Sequence, residues 1–237
     1  MNKIITIVIL SLIAAHLSLL LALAQNHPFD VTLTWSANTY LPPGYLGKAL
    51  PIKHSSVEVV ANINKPTPPV AELDFRWFLD DKVKKYASGL GQAVFRFVVT
   101  KPSGSEHEIR LEIRTADGTL LLTKYLFIRI ASPQIVIYQT NPHLQALTHQ
   151  AQIKSNQELK LAAQPYFFNI AHPKELDYDW NFAGQKAIQI SPENPNLLSL
   201  KIGRVNQEIT EKLKLKVVNE FNPRERDSLD LELIIQP

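Results

Sequence analysis

The sequence contains no cysteine, one methionine and eight glycines in 237 residues. Without thiols there is no disulfide, no thiolate nucleophile, no Cys-ligated zinc and no iron–sulfur cluster. With so few glycines it carries neither a Gly-rich phosphate loop nor a Gly-x-Ser-x-Gly elbow. Neither sign of charge dominates: 25 Lys+Arg stand against 22 Asp+Glu, a formal +3 spread along the chain. That balance is not the footprint of a nucleic-acid binder. The histidines are scattered, with no helical i, i+4 pair and no His-x-His strand pair, so no metal or cofactor is expected. Only His143 and His149 share a connection, and nothing supplies a third ligand.

Long apolar runs are also missing, with one exception. From Ile4 to Leu23 the chain is apolar apart from a few residues such as Ser11, His16 and Ser18. Ala22-Leu23-Ala24 places small residues where a signal peptidase needs them, which would make Gln25 the first mature residue. The same stretch, as a helix of about 31 Å, is long enough to cross a bilayer. Residues 1–24 therefore read as a cleaved signal peptide or an uncleaved N-terminal anchor. Either way the remainder is exported, and the membrane is met only through residues 4–24.

After residue 24 the chain repeats itself. Glu72-Leu73-Asp74-Phe75-Arg76-Trp77-Phe78-Leu79 resembles Glu175-Leu176-Asp177-Tyr178-Asp179-Trp180-Asn181-Phe182. Upstream of each Trp lies an alternating run, Val57-Val59-Ala61 and Leu159-Leu161-Ala163. Downstream, Ile109-Leu111-Ile113 alternates with Arg and Glu where Leu213-Leu215-Val217 alternates with Lys. Each unit closes on a further apolar segment, Leu120 to Ile130 and Leu229 to Ile235. Period-two alternation rich in branched and aromatic residues reads as half-buried strands. The expected fold is all-β: two tandem immunoglobulin-like antiparallel sandwiches over residues 25–132 and 133–237, after the hydrophobic helix. Trp77 and Trp180 are expected between the sheets, with Trp35 also in the first core. The short linker Ala131-Ser132-Pro133 predicts an end-to-end, semi-rigid rod.

Phe75-Arg76-Trp77-Phe78-Leu79-Asp80-Asp81 and Tyr178-Asp179-Trp180-Asn181-Phe182-Ala183-Gly184 resemble the tryptophan strand and following turn of polycystic-kidney-disease-type (PKD) and related bacterial immunoglobulin-like domains. Glu106-His107-Glu108-Ile109-Arg110-Leu111 is similar to their penultimate strand, with His107 where a Tyr usually stands. The resemblance implies a sandwich and no particular chemistry.

Candidate chemistry is sparse. Asp74, Asp80, Asp81, Asp177 and Asp179 are the carboxylates nearest the Trp strands, and Asp80-Asp81 read as solvated turn residues. Two small sandwiches predict no deep cleft across which a carboxyl pair would face, so no catalytic residue is assigned. Lys212, Lys214 and Lys216 line one strand face and read as a solvated surface. The connection from Ser36 to Pro51 stands out because it exceeds the usual loop of about 4–6 residues. Tyr40, Leu41, Pro42, Pro43, Tyr45 and Leu46 read either as a plug over the end of the sandwich or as a candidate binding segment. The comparable stretch Thr140 to Asn156 is polar and reads as a loop. Taken together, these features predict a non-enzymatic structural or protein-binding module of the cell envelope, engaging an envelope protein or surface polymer. A carbohydrate-binding accessory protein using Trp35, Tyr40 and Tyr45 is the second reading, and a hydrolase the third.

Overall fold

The computed structural model describes residues 29–141, 143–186 and 190–237. The export segment expected over residues 1–24 lies outside them. Among the described residues there is no α-helix, and no helix is long and apolar enough to cross a membrane. The first unit contains β1 (Asp30–Ala37), β2 (Ser56–Asn64), β3 (Asp74–Leu79), β4 (Lys82–Val83), β5 (Gly89–Leu90), β6 (Val94–Val98), β7 (Glu106–Arg114) and β8 (Leu120–Arg129). The second contains β9 (Gln134–Gln139), β10 (Gln145–Leu147), β11 (Gln150–Lys154), β12 (Glu158–Tyr166), β13 (Leu176–Phe182), β14 (Gln185–Lys186), β15 (Leu197–Lys201), β16 (Ile209–Asn219) and β17 (Asn222–Gln236).

In the first unit a β1-β2-β6 sheet faces a β4-β3-β7-β8 sheet, to which β5 adds beside β3. The second unit repeats the plan as β10-β9-β12-β15 against β11-β17-β16-β13-β14. Alternation produces this arrangement directly. On β7, Ile109, Leu111 and Ile113 are buried while Glu108, Arg110, Glu112 and Arg114 face outward, as the two-residue period of a strand requires. Each sandwich closes around its own buried indole. The Trp77 Nε1–H donates to the Gln92 carbonyl at 2.8 Å, and the Trp180 Nε1–H to the Pro195 carbonyl at 3.1 Å, each 15 residues downstream. The repeat thus extends to the partner of each ring. Packing at Trp77 adds Phe95, stacked 5.6 Å away.

Three expectations change. Trp35 lies at the margin of the first core, not inside it, because β1 is the edge strand of its sheet; Lys48 Nζ sits 3.4 Å from its ring centre. The polar stretch 140–156 is not a plain loop, since β10 pairs with β9 and β11 runs parallel to β17. Gln150-Ala151-Gln152-Ile153-Lys154 alternates and buries Ala151 and Ile153, a pattern that its polar residues disguise. The closing strand is also longer than Leu229 to Ile235: it begins at Asn222 and forms a hairpin with β16 through Glu220 and Phe221.

Candidate functional site

The long connection between β1 and β2 neither projects freely nor plugs the first sandwich. It leaves its own unit and docks on the second. Thr39 Oγ1 donates to the Leu50 carbonyl at 2.8 Å, which closes the base of the loop. The Tyr40 N–H donates to the Phe168 carbonyl and the Phe167 N–H to the Tyr40 carbonyl, both at 2.8 Å. Those two bonds splice the loop to the chain just beyond β12. Tyr40 packs against the second core, while Leu41, Leu50, Ile52, Tyr166 and Phe167 form a small apolar cluster with Ala131 and Val136. Burial raises the ionisation range of the Tyr40 hydroxyl above its ordinary value.

Polar bonds complete the seam. The Asn169 side-chain amide donates to the Lys53 carbonyl at 3.0 Å and to the buried Glu225 carboxylate at 3.1 Å; Glu225 also accepts the Asn169 backbone N–H. Beside it a cleft of about 170 Å³ is lined by Lys53, His54, Pro102, Pro133, Arg224 and Glu225. Phe167 is held at φ +62°, an unfavourable backbone region for an aromatic residue, and its N–H bond to Tyr40 helps to hold it there. Tyr45 stands edge-on to Tyr166 at 5.4 Å and to Phe167 at 6.3 Å. Its ring lies so close to Gly47 that a Cβ there would fall 2.4 Å from Cζ, so any larger residue at that position would displace the Tyr45 ring.

The candidate segment therefore divides. Tyr40, Leu41 and the buried Pro42 belong to the joint, whereas Pro43 and Leu46 are exposed and Tyr45 is shared between the joint and solvent. Leu46 is fully exposed. The three aromatics of the carbohydrate reading are not assembled: Tyr40 faces the second core, Trp35 lies under Lys48, and Tyr45 leans on Tyr166. Tyr166, Phe167, Phe168 and Asn169 were not singled out from the sequence. The available signal was three consecutive aromatics at the end of a strand, which alternation cannot direct to one core.

Asp80 is not a solvated turn carboxylate. It ends β3 at φ +50° and accepts Lys101 Nζ at 2.6 Å and the Glu108 N–H at 3.1 Å, while its other oxygen meets His107 Nδ1 at 2.7 Å. Burial pushes its pKa up, but the bonds from Lys101, His107 and Glu108 outweigh that and hold the carboxyl below its ordinary range. His107 is fully buried on β7 with its ring edge toward Phe97. The group fastens the β3 turn to β7. Asp74 and Asp179 instead lie on outer sheet faces, beside Arg76 and Lys186 respectively. Lys212, Lys214 and Lys216 remain on the outer face of β16, where Lys214 approaches Asp230 at 3.9 Å.

No family model matches the sequence, and no curated protein matches it. Among solved structures, the chain is similar to the three N-terminal domains of the bacteriophage RB49 Highly Immunogenic Outer Capsid protein (Hoc), with 11% identity and a TM-score of 0.45, covering 87% of this chain and 59% of that one. It is also similar to fibronectin(III)-like modules of Clostridium thermocellum CbhA, with 11% identity and a TM-score of 0.28, covering 86% and 94%. Sidekick-1 immunoglobulin domains 1–5 match with 14% identity and a TM-score of 0.32, covering 87% and 38%. The chain thus spans less than two thirds of the capsid and Sidekick-1 structures. Its own strand order and paired cores make it an all-β chain of tandem immunoglobulin-like sandwiches.

Proposed function

We propose that the chain is a non-enzymatic, exported binding and spacer module of the cell envelope, in which residues 38–55 hold the two sandwiches together and present the tip Pro43–Leu46 to a partner. The carrying observation is a fully exposed Leu46 beside a partly exposed Tyr45, on a loop whose base is bonded to both units. An apolar tip on an anchored base favours binding because little conformational entropy is left to lose on capture. Export rests on the apolar run of residues 4–23, and the partner is an envelope protein or surface polymer.

The test separates joint from tip. Leu46→Ser, at the fully exposed tip, is expected to leave the melting temperature within about 2 °C, since exposed surface changes cost little, while abolishing capture of the envelope partner. Tyr40→Ala is expected to lower stability and capture together. A tip variant that captures as well as the parent would remove the binding role from this loop.

A further inference from the structure

The outer faces of the two larger sheets differ in one row. Across the first, the register aligns Val83 with Phe78, Phe78 with Arg110, and Arg110 with Tyr125. Side chains opposite one another in a ladder share a face, so these four form one band over β4, β3, β7 and β8. Val83 is 44% exposed and Tyr125 56%, with Phe127 further along β8 at 54%. The Arg110 guanidinium lies 3.7 Å from the Phe78 ring centre. The equivalent row of the second sandwich is Lys186, Asn181, Lys214 and Asp230. One unit shows water an apolar and aromatic band where the other shows charge.

We infer that this face of the first sandwich binds the same face of a second copy of the chain. The reason is charge complementarity, read from the register. Asp74 lies opposite Arg114, Arg76 opposite Glu112, and Phe78 opposite Arg110. A two-fold axis parallel to the strands, midway between two facing copies and passing between β3 and β7, exchanges the two columns. Asp74 of one copy then meets Arg114 of the other, Arg76 meets Glu112, and Phe78 meets Arg110. At the margins Tyr125 meets Val83. Each of these oppositions is an ion pair, a cation on an aromatic face, or an apolar contact, exchanged for the pairs Arg76–Asp74, Arg110–Glu112 and Arg114–Glu112 within one copy; one row further, Glu108 faces Asp80, whose charge Lys101 already pairs. Facing sheets cross at about 30°, so the match is closest at the central Phe78–Arg110 row and loosens toward the corners.

The size of the face suits a modest dimer. β3, β4, β7 and β8 contribute 6, 2, 9 and 10 residues, which at about 3.3 Å per residue and about 4.8 Å between strands cover about 430 Å². Two copies then bury on the order of 900 Å², a little below the roughly 1,000 Å² of a stable specific interface and in the range of a weak one. This contact is separate from the Pro43–Leu46 tip and does not rest on its role.

Sedimentation equilibrium on the exported chain tests the proposal with two variants at exposed positions. Val83→Asp and Tyr125→Lys are each expected to weaken self-association by about tenfold or more. In an equimolar mixture of V83D and Y125K, one margin of the mixed dimer pairs the new Asp with the new Lys, and the other keeps Tyr125 against Val83. The mixture is therefore expected to associate to within about threefold of the parent, a gap of under 1 kcal/mol. A parent chain that stays monomeric at millimolar concentration overturns the proposal. So does a dimer that either variant leaves intact, or a mixture that fails to restore association.

Discussion

Two connections of equal length occupy the same place in the repeat and do different things. Residues 38–55 join β1 to β2 and residues 140–157 join β9 to β12, 18 residues in each case. The second connection stays home: β11 lies parallel along β17 and contributes Ala151 and Ile153 to its own core. The first contains Pro42, Pro43 and Pro51, which cannot donate to a ladder. It leaves the sandwich and buries Tyr40 and Ile52 against the second unit. The same topological slot thus accommodates either outcome. One consequence is visible at the edges. β17 lies between β11 and β16, whereas β8 ends its sheet.

The largest test of the comparison concerns the two cores. Trp77→Ala and Trp180→Ala each remove a fully buried ring and are expected to cost about 3–5 kcal/mol. In calorimetry each should depress chiefly the transition of its own sandwich. Equal depression of both transitions by either change would mean that the units share one core.

The next test concerns the two connections. Ile52 and Ile153 are both buried, and truncation of either to Ala is expected to cost about 2–3 kcal/mol. The consequences should differ. Ile153→Ala lowers the second sandwich alone, whereas Ile52→Ala loosens the seam and moves the two transitions further apart. Hydrogen exchange at the Tyr40 and Phe167 amides, which donate across the seam, reads this directly, with protection lost in the Ile52 variant.

A smaller effect separates the two turns after the Trp strands. Asp80 and Ala183 hold the same position, at φ +50° and +49°, and their N–H groups donate to Glu108 and Lys212 respectively. Only the first carries an acid. Because the folded pKa of Asp80 is depressed, its contribution is fully present above the ordinary carboxylate range near pH 4 and is lost as pH falls through the lower folded value. Acid titration of stability should show an extra loss below about pH 4 in the first sandwich. Asp80→Asn should remove that limb while leaving the second sandwich unchanged.

Much of the fold could be read from the chain because alternation and a repeated Trp are local signals. The buried positions of β7 and their counterparts on β16 follow from period two alone, as Ile109, Leu111 and Ile113 show. β11 escaped because two glutamines and a lysine dilute its apolar positions to Ala151 and Ile153. The joint escaped for a different reason. Tyr40 and Phe167 are 127 residues apart, and no periodicity records that they meet. The unusual length and aromatic content of residues 36–51 marked the segment as special, but its destination was set by Tyr166, Phe167 and Phe168. His107 and Asp80 likewise lie on different strands, so their 2.7 Å contact was invisible in sequence.

With residues 38–55 bonded to the chain just beyond β12, the two sandwiches should tumble as one body. Residual dipolar couplings of the exported chain in a dilute aligning medium test it most directly. Couplings from both sandwiches should fit one alignment tensor in the parent chain and two distinct tensors in the Tyr40→Ala, Ile52→Ala double variant. Two unrelated tensors in the parent chain would contradict the claim.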